Sequence, residues 1–364
     1  MRPAGLRYAF LLLFFAAPVA AQTVERAGPE TPKLNALPMA VHGRVQREGN
    51  NFVRQWPGTY FETAFRGSSA FFRVGPGDVS LRIRVDGRSP IPLVKPSPGL
   101  YRISGLVAGA HRLRIDVASE SQAGPTVFGG YYTPRRGTPL PIPKRSRAIE
   151  FIGDSHTVGY GNTSPSRQCT EEQVWLTTDT SQGLAPRLAA HYDADYQVNA
   201  ISGRGIVRNY GGSGGDTLPQ AYPYVLFDKK RVYAEPSWRP QLLVVALGTN
   251  DFSTALNAGE KWKSRDELRR DFEQTYVRFI KSLRARDPHA FILLWIGDND
   301  AGEVTSEIAK VAQRVRQSGE TRLAFLPIRG LARTGCNYHP SLQDNALAAR
   351  TLARFIDSQP KIWR

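Results

Sequence analysis

The stretch AIEFIGDSH, residues 148–156, decides how this chain is read. Residues 148–152 are short and apolar enough for a strand, and they run without a break into Gly153, Asp154 and Ser155. A serine on a tight turn between strand and helix exposes its hydroxyl at the top of a sheet, and the helix N-terminus behind it favours negative charge there. Working outward, residues 241–247 (QLLVVAL) and 290–296 (AFILLWI) are continuous apolar runs, the pattern of strands buried on both faces. Residues 196–201 are a further strand candidate. Helices alternate with these runs. Ser264, with Glu267 three residues later, forms a capping box for a helix that runs to about residue 286, where Asp287-Pro288 stops it. Another runs from Ser341 to about residue 357. Alternation of this kind predicts an α/β domain with a parallel sheet between helical layers, and in such sheets the chemistry sits at the carboxyl ends of the strands.

The other strand ends are equally informative. Residues 196–201 lead into Ser202-Gly203-Arg204-Gly205, where a glycine lets its backbone N–H approach a substrate. Residues 241–247 lead into Gly248-Thr249-Asn250-Asp251, and His339-Pro340 lies just before the last helix. Together they would supply a nucleophile, two oxyanion donors and a base. A lone Gly-Asp-Ser is more often a turn, and a lone histidine more often a surface group. Order and position at successive strand ends give the set its meaning.

Upstream the pattern changes. Residues 59–65 (TYFETAF), 79–85 (VSLRIRV) and 113–117 (LRIDV) alternate with period two, and Asp86-Gly87 supplies a turn. Strands at this spacing predict a small antiparallel β-sandwich over residues 35–135. The proline-rich, basic residues 136–147 read as an extended linker to a domain at 148–360. Residues 1–21 read as a signal peptide: Arg2 and Arg7 lead an apolar run at 8–19, and small residues precede Gln22. The run is too short to span a membrane. The mature chain is therefore expected in the periplasm or outside the cell, with no membrane attachment.

A length of 364 residues fits two domains, and 41% hydrophobic with 22% charged residues can bury a core without staples. No repeat or low-complexity tract occurs, which excludes collagen, coiled coil and solenoid; the composition also excludes a membrane bundle. The net charge of +16 is concentrated in residues 22–150, with 19 basic and 9 acidic side chains. Such a field would draw acidic polymers. The basic residues are nevertheless scattered singly with no reader motif, so nucleic acid is not an expected partner. Two cysteines, Cys169 and Cys336, read as a disulfide in an exported chain. Neither they nor the six histidines have zinc-site spacing, so neither metal nor cofactor is expected.

FIGDSHTVGYGN (151–162), ISGRGI (201–206), LGTNDFS (247–253) and GCNYHPS (335–341) resemble the successive blocks of the SGNH/GDSL hydrolase superfamily. WPGTYFETAF (56–65) and RNYGG (208–212) are similar to the narrower family 2 carbohydrate esterases. The resemblance covers about residues 40–360. It implies a jelly-roll-like sandwich joined to an SGNH-type three-layer α/β/α domain. It also implies Ser155 as nucleophile, His339 as general base, and an oxyanion hole made by Gly203, Asn250 and the Ser155 N–H. One position departs: the superfamily commonly places an Asp three residues before the histidine, and here that residue is Cys336, followed by Asn337. The resemblance then implies a Ser–His dyad with the imidazole oriented by a backbone carbonyl. Asp298, Asp300 and Asp344 stay open as a distal third member. Cys336, paired with Cys169, would pin the histidine loop.

Tyr160, Trp175, Tyr210, Trp262, Trp295 and Tyr338 fall near the strand-end loops, where aromatic faces could stack on sugar rings. Trp295 lies inside AFILLWI and reads as core; Tyr210 and Tyr338, then Trp175, are the substrate-binding candidates. The resemblance implies an acetyl ester on a xylan- or mannan-type polysaccharide, including 6-O-acetyl groups. The alternatives are an esterase or acyltransferase acting on an envelope glycan, a lipid esterase, and a catalytically silent carbohydrate-binding protein. Two features read as decoys. Residues 211–215 match the GxSxG elbow but lack a preceding strand and a following helix, so they read as a glycine loop. His156 lines the cleft at most.

Overall fold

The computed structural model describes residues 21–297, 302–359 and 362–363. The signal-peptide expectation for residues 1–21, apart from its last residue, and the candidates Asp298 and Asp300 lie outside the described residues.

Five parallel strands carry the second half of the chain. Across the sheet they run Ala194–Ala200, Arg147–Gly153, Leu242–Ala246, Phe291–Gly297, Leu323–Ile328. Alternate residues of each strand enter different cores. Leu243, Val245, Ile292 and Leu294 pack beneath the helices Arg265–Arg286 and Glu303–Gln317, around Phe272 and Ile308. Phe151, Val244 and Leu293 pack beneath Leu184–His191 and Leu342–Asp357, around Leu188 and Leu352. With both faces covered, these strands need apolar residues at every position, hence the unbroken runs in the sequence. Half of the predicted capping box forms: Ser264 Oγ accepts the Glu267 N–H at 3.2 Å, while the Glu267 carboxylate accepts the Lys263 N–H at 2.7 Å in place of that of Ser264. The first strand sits between the second and third, with Gly153 in register with both Ala200 and Ala246. The strand order reverses there, opening a crevice at the carboxyl ends.

The preceding domain is two antiparallel sheets, one of seven and one of six strands, closed around Phe61, Phe65, Phe72, Ile83, Ile103 and Ile115. It begins upstream of residue 35, because Thr23–Arg26 pairs with Gly99–Ser104. The proline-rich segment does not hang free. Thr138–Pro139 pairs with the strand Tyr60–Gly67, and Arg145 bridges Glu62 at 2.9 Å and Asp195 at 2.7 Å.

The seam between the domains is buried. Tyr60, with no exposed surface, packs at a tilt against Tyr196 with ring centroids 4.7 Å apart and donates to Asp195 at 3.0 Å. Trp56, equally buried, donates to the Tyr224 carbonyl at 3.1 Å. At the centre is Glu150 in the first parallel strand. Its carboxylate accepts from Arg44 of the sandwich (3.2 Å), Asn199 (2.6 Å), Tyr222 (2.5 Å), Trp238 (3.1 Å) and Arg286 (2.8 Å). Burial alone would raise its pKa; Arg286 and then Arg44 overcome that and hold the carboxyl below its ordinary value. No helix among the described residues is long and apolar enough to cross a membrane.

Candidate active site

Ser155 opens a one-turn helix, Ser155–Val158, directly beyond the first parallel strand. Asp154 caps that turn by accepting the His156 N–H at 3.0 Å. Residue 153 must be glycine, because a Cβ there would stand 2.1 Å from Thr157 Oγ1. The adjacent strand continues level with this turn: Ile201 N–H donates to the Gly153 carbonyl at 3.2 Å, and Gly203 follows with φ +81°. On the other side Asn250 sits in the turn Thr249–Phe252, its Nδ2 donating to Asp154 Oδ2 at 3.1 Å and to the Arg204 carbonyl at 2.9 Å. Among the described residues, neither Ser155 nor Gly203 has an acceptor for its backbone N–H. Two donors without partners beside a nucleophile are what an oxyanion hole requires.

His339 comes from the far end of the chain. Its Nε2 lies 2.9 Å from Ser155 Oγ, and its Nδ1 lies 2.9 Å from the Cys336 carbonyl and 3.2 Å from that of Asn337. Carbonyls only accept, so Nδ1 carries the proton and Nε2 presents its lone pair to the serine. The turn Cys336–Tyr338 that offers these carbonyls holds Asn337 and Tyr338 at φ +50° and +60°. A disulfide from the buried Cys336 to Cys169 fastens it, and Asn337 N–H donates to the Arg167 carbonyl at 2.6 Å. Tyr160 closes the site with its ring 4.3 Å from the imidazole.

Asp344 is a correction to the third-acid expectation. Its carboxylate caps the last helix, accepting from Ser341 N–H at 2.9 Å, Ala332 N–H at 2.7 Å and Arg333 N–H at 2.9 Å, while His339 Nδ1 is turned to carbonyls. Asp251, not singled out in the sequence, is the buried anchor of the oxyanion segment. It accepts the N–H groups of Ile206 (2.9 Å), Val207 (2.8 Å) and Arg208 (3.0 Å). Its position beside Asn250 was the only signal for it.

Burial shapes the electrostatics. It pushes Asp251 up to about 6 and, joined by the nearby Asp251 charge, Asp154 up to about 7. His156, edge-on to His339 at 5.5 Å, is driven by burial down to about 3 and stays neutral. Burial also holds His339 below its ordinary value of 6.5, against the pull of its two carbonyl contacts. The neutral imidazole is the form that can take a proton. For a reaction drawing on Nε2 as base, kcat/KM should therefore rise with pH along a limb centred below 6.5. A pH–rate profile checks this, with Asp154→Asn retaining the limb; a midpoint above the ordinary imidazole value would place the base elsewhere.

Of the aromatic candidates, Tyr210 and Tyr338 are 59% and 64% exposed; the Tyr210 N–H holds the Gly203 carbonyl at 2.9 Å. Trp175 lies under Lys95 of the sandwich, 4.7 Å from its ring, and lines with Tyr160 a cavity of about 560 Å³ between the domains. Trp262 donates to Asp271, and Trp295 is core. The 211–215 loop contains no elbow; Asn209 gathers the carbonyls of Ser213, Gly214 and Gly215. Among the described residues, one cluster has metal-ligand character, His42 with Glu62 and Asp195 at the seam. The Arg145 guanidinium already bridges both carboxylates.

The family model of the carbohydrate esterase 2 N-terminal domain matches residues 41–143, and that of the GDSL-like lipase/acylhydrolases matches residues 151–352. An acetylxylan esterase / glucomannan deacetylase of Cellvibrio japonicus (strain Ueda107) is 40% identical over 333 residues, 90% of this chain and 92% of that protein. The solved structure of a carbohydrate esterase, described as displaying divergent catalytic and non-catalytic binding functions in its active site, superposes with a TM-score of 0.86. It is 39% identical and covers 91% of this chain and all of that one. A family two carbohydrate esterase from Clostridium thermocellum, solved with cellohexaose, has a TM-score of 0.77 at 28% identity, covering 88% of this chain and 98% of that one.

Proposed function

Since the chain belongs to the family 2 carbohydrate esterases, we propose that it is a carbohydrate O-acetylesterase that removes acetyl groups from xylan- or glucomannan-type polysaccharide through Ser155 and His339. The observation that carries this reading is the 2.9 Å contact of Ser155 Oγ with His339 Nε2, on an imidazole whose Nδ1 is bound to a backbone carbonyl.

Ser155 Oγ attacks the acetyl carbonyl carbon while Nε2 takes the hydroxyl proton. The carbonyl oxygen becomes an oxyanion facing the N–H groups of Ser155 and Gly203, and it competes with Asp154 for one N–H of Asn250. Collapse breaks the bond to the sugar oxygen, which leaves as a hydroxyl after receiving the proton from Nε2. Water then attacks the acetyl-serine by the same route, releasing acetate and restoring the dyad. Each oxyanion donor typically contributes ~3–4 kcal/mol. The exposed faces of Tyr210 and Tyr338 beside Gly203 and His339 suit stacking on sugar rings. Export to the periplasm or the medium, as the leader residues suggest, would bring the enzyme to such polymers.

Acetate release from acetylated xylan and acetylated glucomannan, beside an acetylated envelope glycan and a long-chain lipid ester, tests the assignment. Turnover of the two hemicelluloses well above the others is expected. Acetyl transfer to a second sugar in place of free acetate would make the protein an acyltransferase. Glycan binding without turnover would make it a binding protein.

A further inference from the structure

Gly203 lies in a turn of a class that has two common forms. Arg204 N–H closes on the Ile201 carbonyl at 3.2 Å, making Ile201-Ser202-Gly203-Arg204 a β-turn, and φ +81° at its third residue is the type II value. Types I and II differ chiefly by a half-rotation of the central peptide, here the unit joining the Ser202 carbonyl to the Gly203 N–H. A glycine at the third position tolerates both, and a Cβ placed on Gly203 would meet nothing within 4 Å. In a planar trans peptide the C=O and N–H point in opposite directions. Rotating this unit would therefore withdraw the Gly203 N–H from the nucleophile and turn a carbonyl oxygen toward it, repelling an oxyanion.

The group that opposes the rotation comes from the other domain. In the sandwich loop after the strand Gly109–Val117, Gln122 Nε2 donates to the Ser202 carbonyl at 3.1 Å. Glu120 Oε1 accepts the Ser202 N–H at 2.7 Å and also receives Gln122 Nε2 at 3.1 Å. The central peptide is thus held by its carbonyl, the residue before it by its N–H, and the two sandwich side chains by each other. The loop itself is docked: the Ala118 carbonyl accepts the Thr180 N–H at 2.9 Å.

We infer that Glu120 and Gln122 are positioning residues for the oxyanion hole, so that the sandwich domain completes the catalytic apparatus and is more than an attached module. This rests on Gly203 being an oxyanion donor in the esterase proposed above. The test compares wild type, Glu120→Ala, Gln122→Ala, the double alanine variant, Glu120→Gln and Ser155→Ala on 4-nitrophenyl acetate. Thermal unfolding is followed alongside, as is the rate at which a serine-directed phosphonate, whose phosphoryl oxygen occupies the same hole, labels Ser155.

Each alanine variant should lose about 10-fold in kcat and the double variant up to ~100-fold, the lower end of the ~10²–10³ typical of deleting a donor outright. KM and the unfolding midpoint should stay near wild type, and phosphonate labelling should slow in parallel with kcat. Glu120→Gln, whose carbonyl oxygen can still accept the Ser202 N–H, should restore most of the rate. Wild-type kcat and labelling in the double variant would overturn the inference while leaving the esterase reading intact. So would a loss tracking thermal destabilisation that Glu120→Gln does not rescue. A wild type that neither hydrolyses esters nor is labelled at Ser155 would overturn both.

Discussion

Ser155→Ala is expected to lower kcat for acetate release by about 10⁵–10⁶-fold, and His339→Ala by nearly as much. Removing Oγ leaves His339 Nε2 without the proton donor now 2.9 Å away, and removing the imidazole leaves a hydroxyl that is a weak nucleophile at neutral pH. Because the two act as one unit, the double variant should be no slower than the worse single one. What survives should be the contribution of the oxyanion donors and substrate binding, about 10³–10⁴ over water. The folded state should hold in Ser155→Ala, which deletes only a hydroxyl from a residue 6% exposed. Acetate assays of the three variants, with mass spectrometry excluding wild-type carry-over, check this. A Ser155→Ala protein keeping more than about 1% of kcat would leave this serine with no claim to be the nucleophile, given the drop expected for a concerted pair. Among the described residues Nδ1 meets the main-chain oxygens of Cys336 and Asn337, so deleting the Asp344 carboxylate, which caps the last helix, offers no comparable handle on the base.

Glu150→Leu should destabilise the whole chain by about 3–5 kcal/mol, the usual cost of breaking a buried ion pair from one side. It strands Arg44, 1% exposed, whose remaining acceptors are the carbonyls of Tyr222 and Tyr224, and it deprives Tyr222, Asn199 and Trp238 of their shared acceptor. Pairing it with Arg44→Met should recover part of the loss, because an apolar pair of similar volume has no charge to desolvate. The sign of the pH dependence follows from a carboxyl pKa depressed in the folded state. Its stabilisation is fully present above the ordinary carboxylate range and is lost as pH falls through the folded value. Wild type should therefore lose more stability on acidification than Glu150→Leu. Urea unfolding of the three proteins at neutral and acid pH checks both points. An unchanged midpoint in Glu150→Leu would show that the seam contributes nothing.

What was legible in the sequence follows from what each position must satisfy alone. Residues in 148–152, 241–247 and 290–296 had to be apolar on both faces, so the sheet and its chemically rich ends could be read. The strand Leu323–Ile328 was not read, because it lies at the sheet edge, carries Pro327 and is only half buried in its middle. Apart from the cysteine pair, side-chain partnerships that join the two domains left no trace. Glu150 looks like a flaw in a strand until Arg44 and Arg286 are beside it, and Glu120 lies 82 residues from Ser202. The orienter of His339 is a backbone oxygen that any residue could offer, so only the missing aspartate hinted at it.

Cys336 supplies that oxygen and is also half of a bridge that closes a span of 167 residues. Closing a loop of this length removes about 5 kcal/mol worth of freedom from the open chain. Before the bridge forms, nothing covalent fixes the turn that aims the imidazole. The bridge therefore works as a rivet on the support of the base, adding to the Asn337 N–H that donates to the Arg167 carbonyl and the Cys336 N–H that donates to the Gly161 carbonyl.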